Sequence, residues 1–263
     1  MLFADEPRWA PVLRPYEAWL FERRHPYHQR AEVVRFLARR DGQVVGRACA
    51  HHATGAADGW FGAFEAADDA TAVRGLVQAA SEWVGERGAT RLRGPATFTL
   101  ADDAGVLVEG FDHPGGTARP WHPPWYAEHL HAAGLGPDDR TFPRWKHPTA
   151  GEGAAGGLAH DDVLPPQAGK LADRRLVLRG AAGAIAAVPD VADASRGTSL
   201  RSARRRLETV VEAAVVRIDG EPSALVPALL AAADLAGYDH VWAPWAPDGR
   251  RPDTVHQLLV APL

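Results

Sequence analysis

Five consecutive residues, Glu109-Gly110-Phe111-Asp112-His113, put two carboxylates and an imidazole within one short stretch. Carboxylate and imidazole side chains brought close together can take a proton from an amine nucleophile, with pKa values set by burial. The same spacing also suits an Asx turn in which Asp112 bonds its own backbone. Further along, Arg119, Trp121 and His122 precede "PPWY". A guanidinium beside aromatic rings can grip a substrate carboxylate, phosphate or sulfate in bidentate fashion, or can simply stack on Trp121. Tyr126 and His129 stand three apart, so on a helix they share a face. Glu65 falls in the apolar run "FGAFEA". A carboxylate in such a strand is expected to be paired, with an arginine such as Arg93, or to act as a base.

Metal chemistry has little support. His25 and His28 are three apart and His51 and His52 are adjacent, but no H-E-x-x-H pattern accompanies them. The single cysteine, Cys49, excludes an internal disulfide and a cysteine-based zinc site, and is expected to be a buried thiol.

The elements that position these residues follow from periodicity. Two apolar runs flank "RDGQ", so a hairpin turning at Asp41-Gly42 is expected. "DGWFGAFEA" at 58–66 is a third strand. Val73, Leu76, Val77, Ala80 and Val84 then repeat at helical spacing, with Asp68 or Asp69 as cap and Gly88 past the end. "ATRLRG" is the next strand, "PPWYAEHLHAAGLG" a short helix opened by prolines, and "RTFPRWKHP" a strand. Between them, residues 95–114 form a long acidic excursion, expected to be a lid or substrate-contacting loop.

Residues 149–160 are rich in Gly and Ala without apolar periodicity, which reads as a flexible linker between residues 1–148 and a second α/β half, 161–263. In that half "RRLVLRG", "GAIAAVPDV", "HVWAPWAP" and "TVHQLLVAPL" read as strands. "SLRSARRRLETVVEAAVV" and "SALVPALLAAADLAGYD" read as helices.

A net charge of -4 leaves no footprint for nucleic acid, and no run of eighteen apolar residues marks a membrane span. The first twenty residues carry Pro and Arg where a signal peptide would be apolar, so a cytoplasmic location is expected.

Three stretches carry a resemblance: "GWFGAFEAADD", "RGPATFTLADDAGVLVEGFDHPG" and "WHPPWYAEHLHAAGL". In this order they resemble an uncharacterised bacterial branch of the GNAT (GCN5-related N-acetyltransferase) superfamily. The resemblance implies a mixed central sheet flanked by helices, followed by a smaller, diverged and degenerate GNAT half. It implies an acyltransferase of bacterial specialised metabolism, moving an acyl group from a CoA or carrier thioester to a small amine.

On that resemblance Glu109, Asp112 or His113 would be the base and Tyr126 the acid. Glu65, Arg93, Arg119, Trp121, His122 and His129 would line the substrate site. The "GAFEA" strand would hold the pantetheine arm of acyl-CoA through Phe64 and Ala66, with Arg74 at the next helix, and no metal. One departure stands out: "EAADDATAVRGL" has two aspartates and no glycine where GNAT proteins wrap a Gly-rich loop around the diphosphate. That departure leaves two other outcomes open. One is a GNAT-fold enzyme performing a cyclisation or elimination on an anionic, carrier-linked substrate held by Arg119. The other is a pseudo-GNAT partner subunit, as a homodimer or with another protein.

Overall fold

The computed structural model describes residues 2–3, 6, 8–9, 18, 20–23, 25–98, 100, 103–115, 119–148, 159–162, 176–180, 183–189, 210–218, 240–243 and 249–263. The chain divides into two compact units. The first comprises residues 1–9, 19–142 and 254–263, and the second residues 10–18 and 143–253.

In the first unit, β1 (Ala31–Arg40) and β2 (Gln43–Ala53) form an antiparallel hairpin whose last pair is Arg40 with Gln43. Its two-residue turn has φ of 50° at Asp41 and 79° at Gly42. Both central residues are thus left-handed, the conformation that matches the twist of the flanking strands and that Asp-Gly tolerates. β3 (Asp58–Ala66) lies antiparallel to β2, and α1 (Ala70–Gly85) returns the chain to β4 (Arg91–Gly94), which is parallel to β3. Val73, Leu76, Val77, Ala80 and Val84 are all buried, so the apolar stripe of α1 is the face laid on the sheet. Gly59 permits the close approach: a Cβ there would stand 2.4 Å from that of Val84.

β5 (Val106–Glu109), α2 (Trp125–Ala132) and β6 (Gly136–Pro148) complete this part of the chain. The last strand, β12 (Thr254–Pro262), then pairs antiparallel with both β4 and β5. Leu259 faces Gly94 and Gln257 faces Val106. β4 and β5 are therefore two pieces of one interrupted strand along β12. The ends of the interruption are tied by a 2.8 Å bond from the Gly105 N–H to the Pro95 carbonyl. Four residues of the acidic excursion, Val106–Glu109, are thus strand, with Val106 and Leu107 almost fully buried. β12, expected to belong to the C-terminal half, is a strand of the first unit's sheet.

In the second unit the end of β6 pairs with β11 (His240–Ala243), and β11 runs parallel to β10 (Val210–Ile218). β9 (Gly183–Pro189), β8 (Leu176–Gly180) and β7 (Ala159–Asp162) follow as an antiparallel series. Residues 210–216, expected to end a helix, are strand. Val210, Val211, Val215, Val216 and Ile218 are β-branched and stiff at χ1, which favours the pleated conformation over a helix. The helix expected at 223–239 and most of the linker at 149–160 lie outside the described residues.

Candidate active site

β3 is where the site is built. It pairs with β4 only from Asp58–Arg91 to Trp60–Arg93, and beyond Trp60 a different segment takes the partner's place. That segment is Pro95–Phe98. Ala96 donates its N–H to the Phe61 carbonyl at 2.8 Å. Thr97 Oγ1 accepts the Ala63 N–H at 2.7 Å. Ala63 has φ of 45°, a left-handed bulge that turns its N–H out of the ladder and towards Thr97. Gly62 is needed opposite, since a Cβ there would lie 2.1 Å from the Ala96 carbonyl oxygen.

A buried histidine holds the same segment from below. His51 Nδ1 stands 2.6 Å from the Tyr27 hydroxyl and Nε2 stands 3.0 Å from the Ala96 carbonyl. Burial depresses the His51 pKa to about 4, so the ring is neutral near pH 7. Phe98, at φ of 67°, stacks on Tyr27 with ring centres 4.7 Å apart. Sequence reasoning missed Thr97 and Tyr27 and weighed His51 only for metal binding; Gly-Pro at the end of β4 was a hint.

At the far end of β3 the Tyr126 hydroxyl accepts the Ala66 N–H at 2.8 Å and stands 3.3 Å from the Ala66 carbonyl. Tyr126 is 1% exposed, and burial raises its pKa. His122 stacks on its ring at 5.0 Å. The His122 Nδ1 accepts the Leu107 N–H at 3.2 Å, and burial lowers its pKa to about 3. The neutral ring must then carry its proton on Nε2. Phe64 packs edge-on against Tyr126 at 5.3 Å.

The start of α1 is also occupied. Asp69 Oδ1 accepts the N–H groups of Thr71 and Ala72, both at 3.0 Å, and the carboxylate pairs with Arg40 at 2.7 Å. These are the amides an anion would seek at a helix N-terminus, and the chain supplies its own anion. Asp68 pairs with His129 at 2.7 Å, and Arg74 is exposed.

Two pairings differ from expectation. Glu65 pairs with Arg47, Oε2 to Nε at 2.9 Å, because β2 and β3 set the two residues opposite each other. Arg93 instead pairs with Asp58 at 3.2 Å and Asp138 at 2.6 Å. Burial raises the Asp138 pKa, but its side-chain hydrogen-bond interaction with Asp139, the hydrogen bond from the Arg140 N–H, and the charge and hydrogen bond of Arg93 outweigh it and hold the carboxyl below its ordinary range. Nor does Arg119 stack on Trp121. It donates to the Leu100 carbonyl and lies over the Phe142 ring at 4.1 Å, while Arg8 covers Trp121 at 4.7 Å.

Glu109 and Asp112 are exposed, with the Asp112 side chain at 85%, and His113 Nε2 is 4.0 Å from the Asp112 carboxylate. The turn closes by a bond from the His113 N–H to the Gly110 carbonyl. Its Phe111 carbonyl accepts from Trp121 Nε1 at 2.9 Å and from Arg8 at 2.8 Å. The carboxylate turn is thereby fixed beside Trp121.

A mixed sheet with a bulged strand diverging from its parallel neighbour, then a helix, is an arrangement of the GNAT fold. The chain has that fold in two halves: it aligns over 99% of its length, and 91% of the other chain, with the tandem GNAT protein from the clavulanic acid biosynthesis pathway, at a TM-score of 0.62 and 16% identity. Two curated proteins are similar in sequence. Protein YghO of Escherichia coli (strain K12) is 32% identical over 139 residues, 51% of this chain and 36% of that protein. The bacterial ceramide synthase of Caulobacter vibrioides is 36% identical over 121 residues, 43% of this chain and 32% of that protein. The chain thus matches about a third of the length of these curated relatives. No family model matches. Among the described residues no helix is long and apolar enough to cross a membrane.

Proposed function

We propose that the chain is an N-acyltransferase whose acceptor is an amine carrying a long apolar chain. The observation that carries this reading is the 36% identity to a ceramide synthase, whose named product is an amide of a long-chain amino alcohol, on a GNAT fold. The acyl carbon of a thioester is attacked by the neutral amine, the C–S bond breaks with its electron pair going to sulfur, and the thiolate leaves. It takes up, as thiol, the proton that the amine gives up through the carboxylate turn. The amine proton goes to the turn Glu109–His113, held beside Trp121 through the Phe111 carbonyl.

The occupied start of α1 bears on the donor. With Asp69 taking the Thr71 and Ala72 amides, a CoA diphosphate has no vacant helix N-terminus there, and the Ala66 groups proposed for pantetheine are bonded to Tyr126. The occupied α1 start favours a donor without a diphosphate, such as one on a carrier protein. The Ala66 bonds bear equally on the pantetheine arms of CoA and carrier, and favour a donor held by the second unit. The test offers sphinganine with palmitoyl-CoA or with palmitoyl carrier protein and follows free thiol. Faster release from the carrier thioester, abolished by Glu109→Gln with Asp112→Asn, supports the reading. Amine-independent release, or none from either donor, sinks it.

The same filled positions favour a second reading, in which the first unit is a pseudo-GNAT scaffold and the second performs the transfer. Acylation that survives the Glu109, Asp112 and His113 substitutions together would select it. The Arg119 contacts with Leu100 and Phe142 lend no support to an anionic substrate held there.

A further inference from the structure

Phe3 lies among large rings. Its centre is 6.2 Å from Trp121, 6.4 Å from Trp125 and 5.9 Å from Tyr126, and it packs, as Phe64 does, against the core cluster that includes Tyr126. The residue before it donates its backbone N–H to Glu65 Oε1 at 2.9 Å. Glu65 is 7% exposed, and its other oxygen is taken by Arg47. Leu2 and Phe3 therefore present, side by side, an N–H to a buried carboxylate oxygen and an apolar group to an aromatic basin. A carboxylate so enclosed requires a donor at each oxygen. Arg47 is a permanent donor from the neighbouring strand, whereas Leu2 comes from a separate segment anchored on this unit by Arg8 and Gly115.

We infer that Glu65 and the basin of Phe64, Trp121, Trp125 and Tyr126 form a binding site for a primary alkylamine, and that Leu2–Phe3 occupies it as a removable strap. An ammonium replaces the Leu2 N–H with a charge-assisted bond to Glu65 Oε1, and the alkyl chain replaces the Phe3 ring. A cation held over a ring of this basin gains cation–π attraction that an alcohol of equal length lacks. This rests on the acyltransferase reading and gives its acceptor a place; Glu65 orients the amine, and no proton transfer is assigned to it.

The experiment titrates the full chain with octylamine, without any acyl donor, and follows tryptophan fluorescence, with octanol as control. Phe3→Ala should tighten octylamine binding at least tenfold by emptying the basin. Leu2→Pro, which removes the donated hydrogen while leaving Phe3 in place, should tighten it severalfold. Glu65→Gln should weaken octylamine at least tenfold and leave octanol unchanged. Equal octylamine affinity in the wild type, Phe3→Ala and Leu2→Pro overturns the inference, as does equal affinity for octylamine and octanol. Octylamine binding that follows the expected order without any acyl product leaves this site standing and removes the acyltransferase reading. Acyl transfer with an amine KM indifferent to Phe3→Ala does the reverse.

Discussion

Replacing Tyr126 by Phe separates a structural hydroxyl from a catalytic one. The ring is enclosed by Phe3, Phe64, His122 and Trp125, and all of that packing survives the change. What disappears is the oxygen that accepts the Ala66 N–H and stands near its carbonyl, in a place where Ala66 itself is fully buried. An orphaned buried backbone group costs about 1–3 kcal/mol. With at least the N–H stranded, a loss of about 2 kcal/mol is expected, on the middle of that range. At a urea slope of about 2 kcal/mol/M the unfolding midpoint would fall by about 1 M. Tryptophan fluorescence is a suitable probe, because Trp125 lies 4.8 Å from the Tyr126 ring. A variant with an unchanged midpoint but a large fall in kcat would refute the reasoning, since it would mean the hydroxyl serves the reaction rather than β3.

Asp69→Ala should cost ~1 kcal/mol through loss of the α1 cap. It should also let added pyrophosphate raise the melting temperature, which is not expected of the native chain. Arg93→Met strands the buried Asp138 carboxylate and should cost about 3–5 kcal/mol, the usual effect of removing one partner of a buried pair. Adding Asp138→Leu should recover most of it, read by urea unfolding. Stability should also fall in mild acid. The folded pKa of His51 is about 4 and of His122 about 3, both below the ordinary 6.5, so the unfolded chain binds more protons in that window. Stability therefore rises with pH from about 4 to 6.5, by up to ~1.4 kcal/mol per pH unit for each histidine. His51→Gln should flatten that slope by one histidine's share, measured by unfolding at a series of pH values.

Local signals in the sequence were strong where one residue type has one conformational use. Asp41-Gly42 specified the turn of the first hairpin, and the Val73–Val84 stripe specified the buried face of α1. An aspartate cap was legible as Asp68 or Asp69, of which the structure uses Asp69, and with it the poor fit of the α1 start to a diphosphate. Non-local pairings were not legible. Nothing in "TVHQLLVAPL" says that this strand crosses to the first unit's sheet and splits its pairing between β4 and β5. Glu65 was expected beside an arginine such as Arg93, and only the register of β2 against β3 selects Arg47. The strand pairing inside the excursion was hidden too, because Val106 and Leu107 have no partner nearby in sequence; their partner is β12, at the other end of the chain. The pairing of Tyr27 with His51 and the seating of Phe3 likewise depend on contacts between segments far apart in sequence.

The central claim is amide formation from a thioester and a long-chain amine. Its most direct measurement is mass spectrometry of a reaction of the purified chain with palmitoyl carrier protein and ¹⁵N-labelled sphinganine. One N-acyl product carrying the heavy nitrogen is expected, formed in step with free thiol. Thioester hydrolysed to palmitate with the amine recovered unchanged, under conditions where the chain is folded, would contradict it.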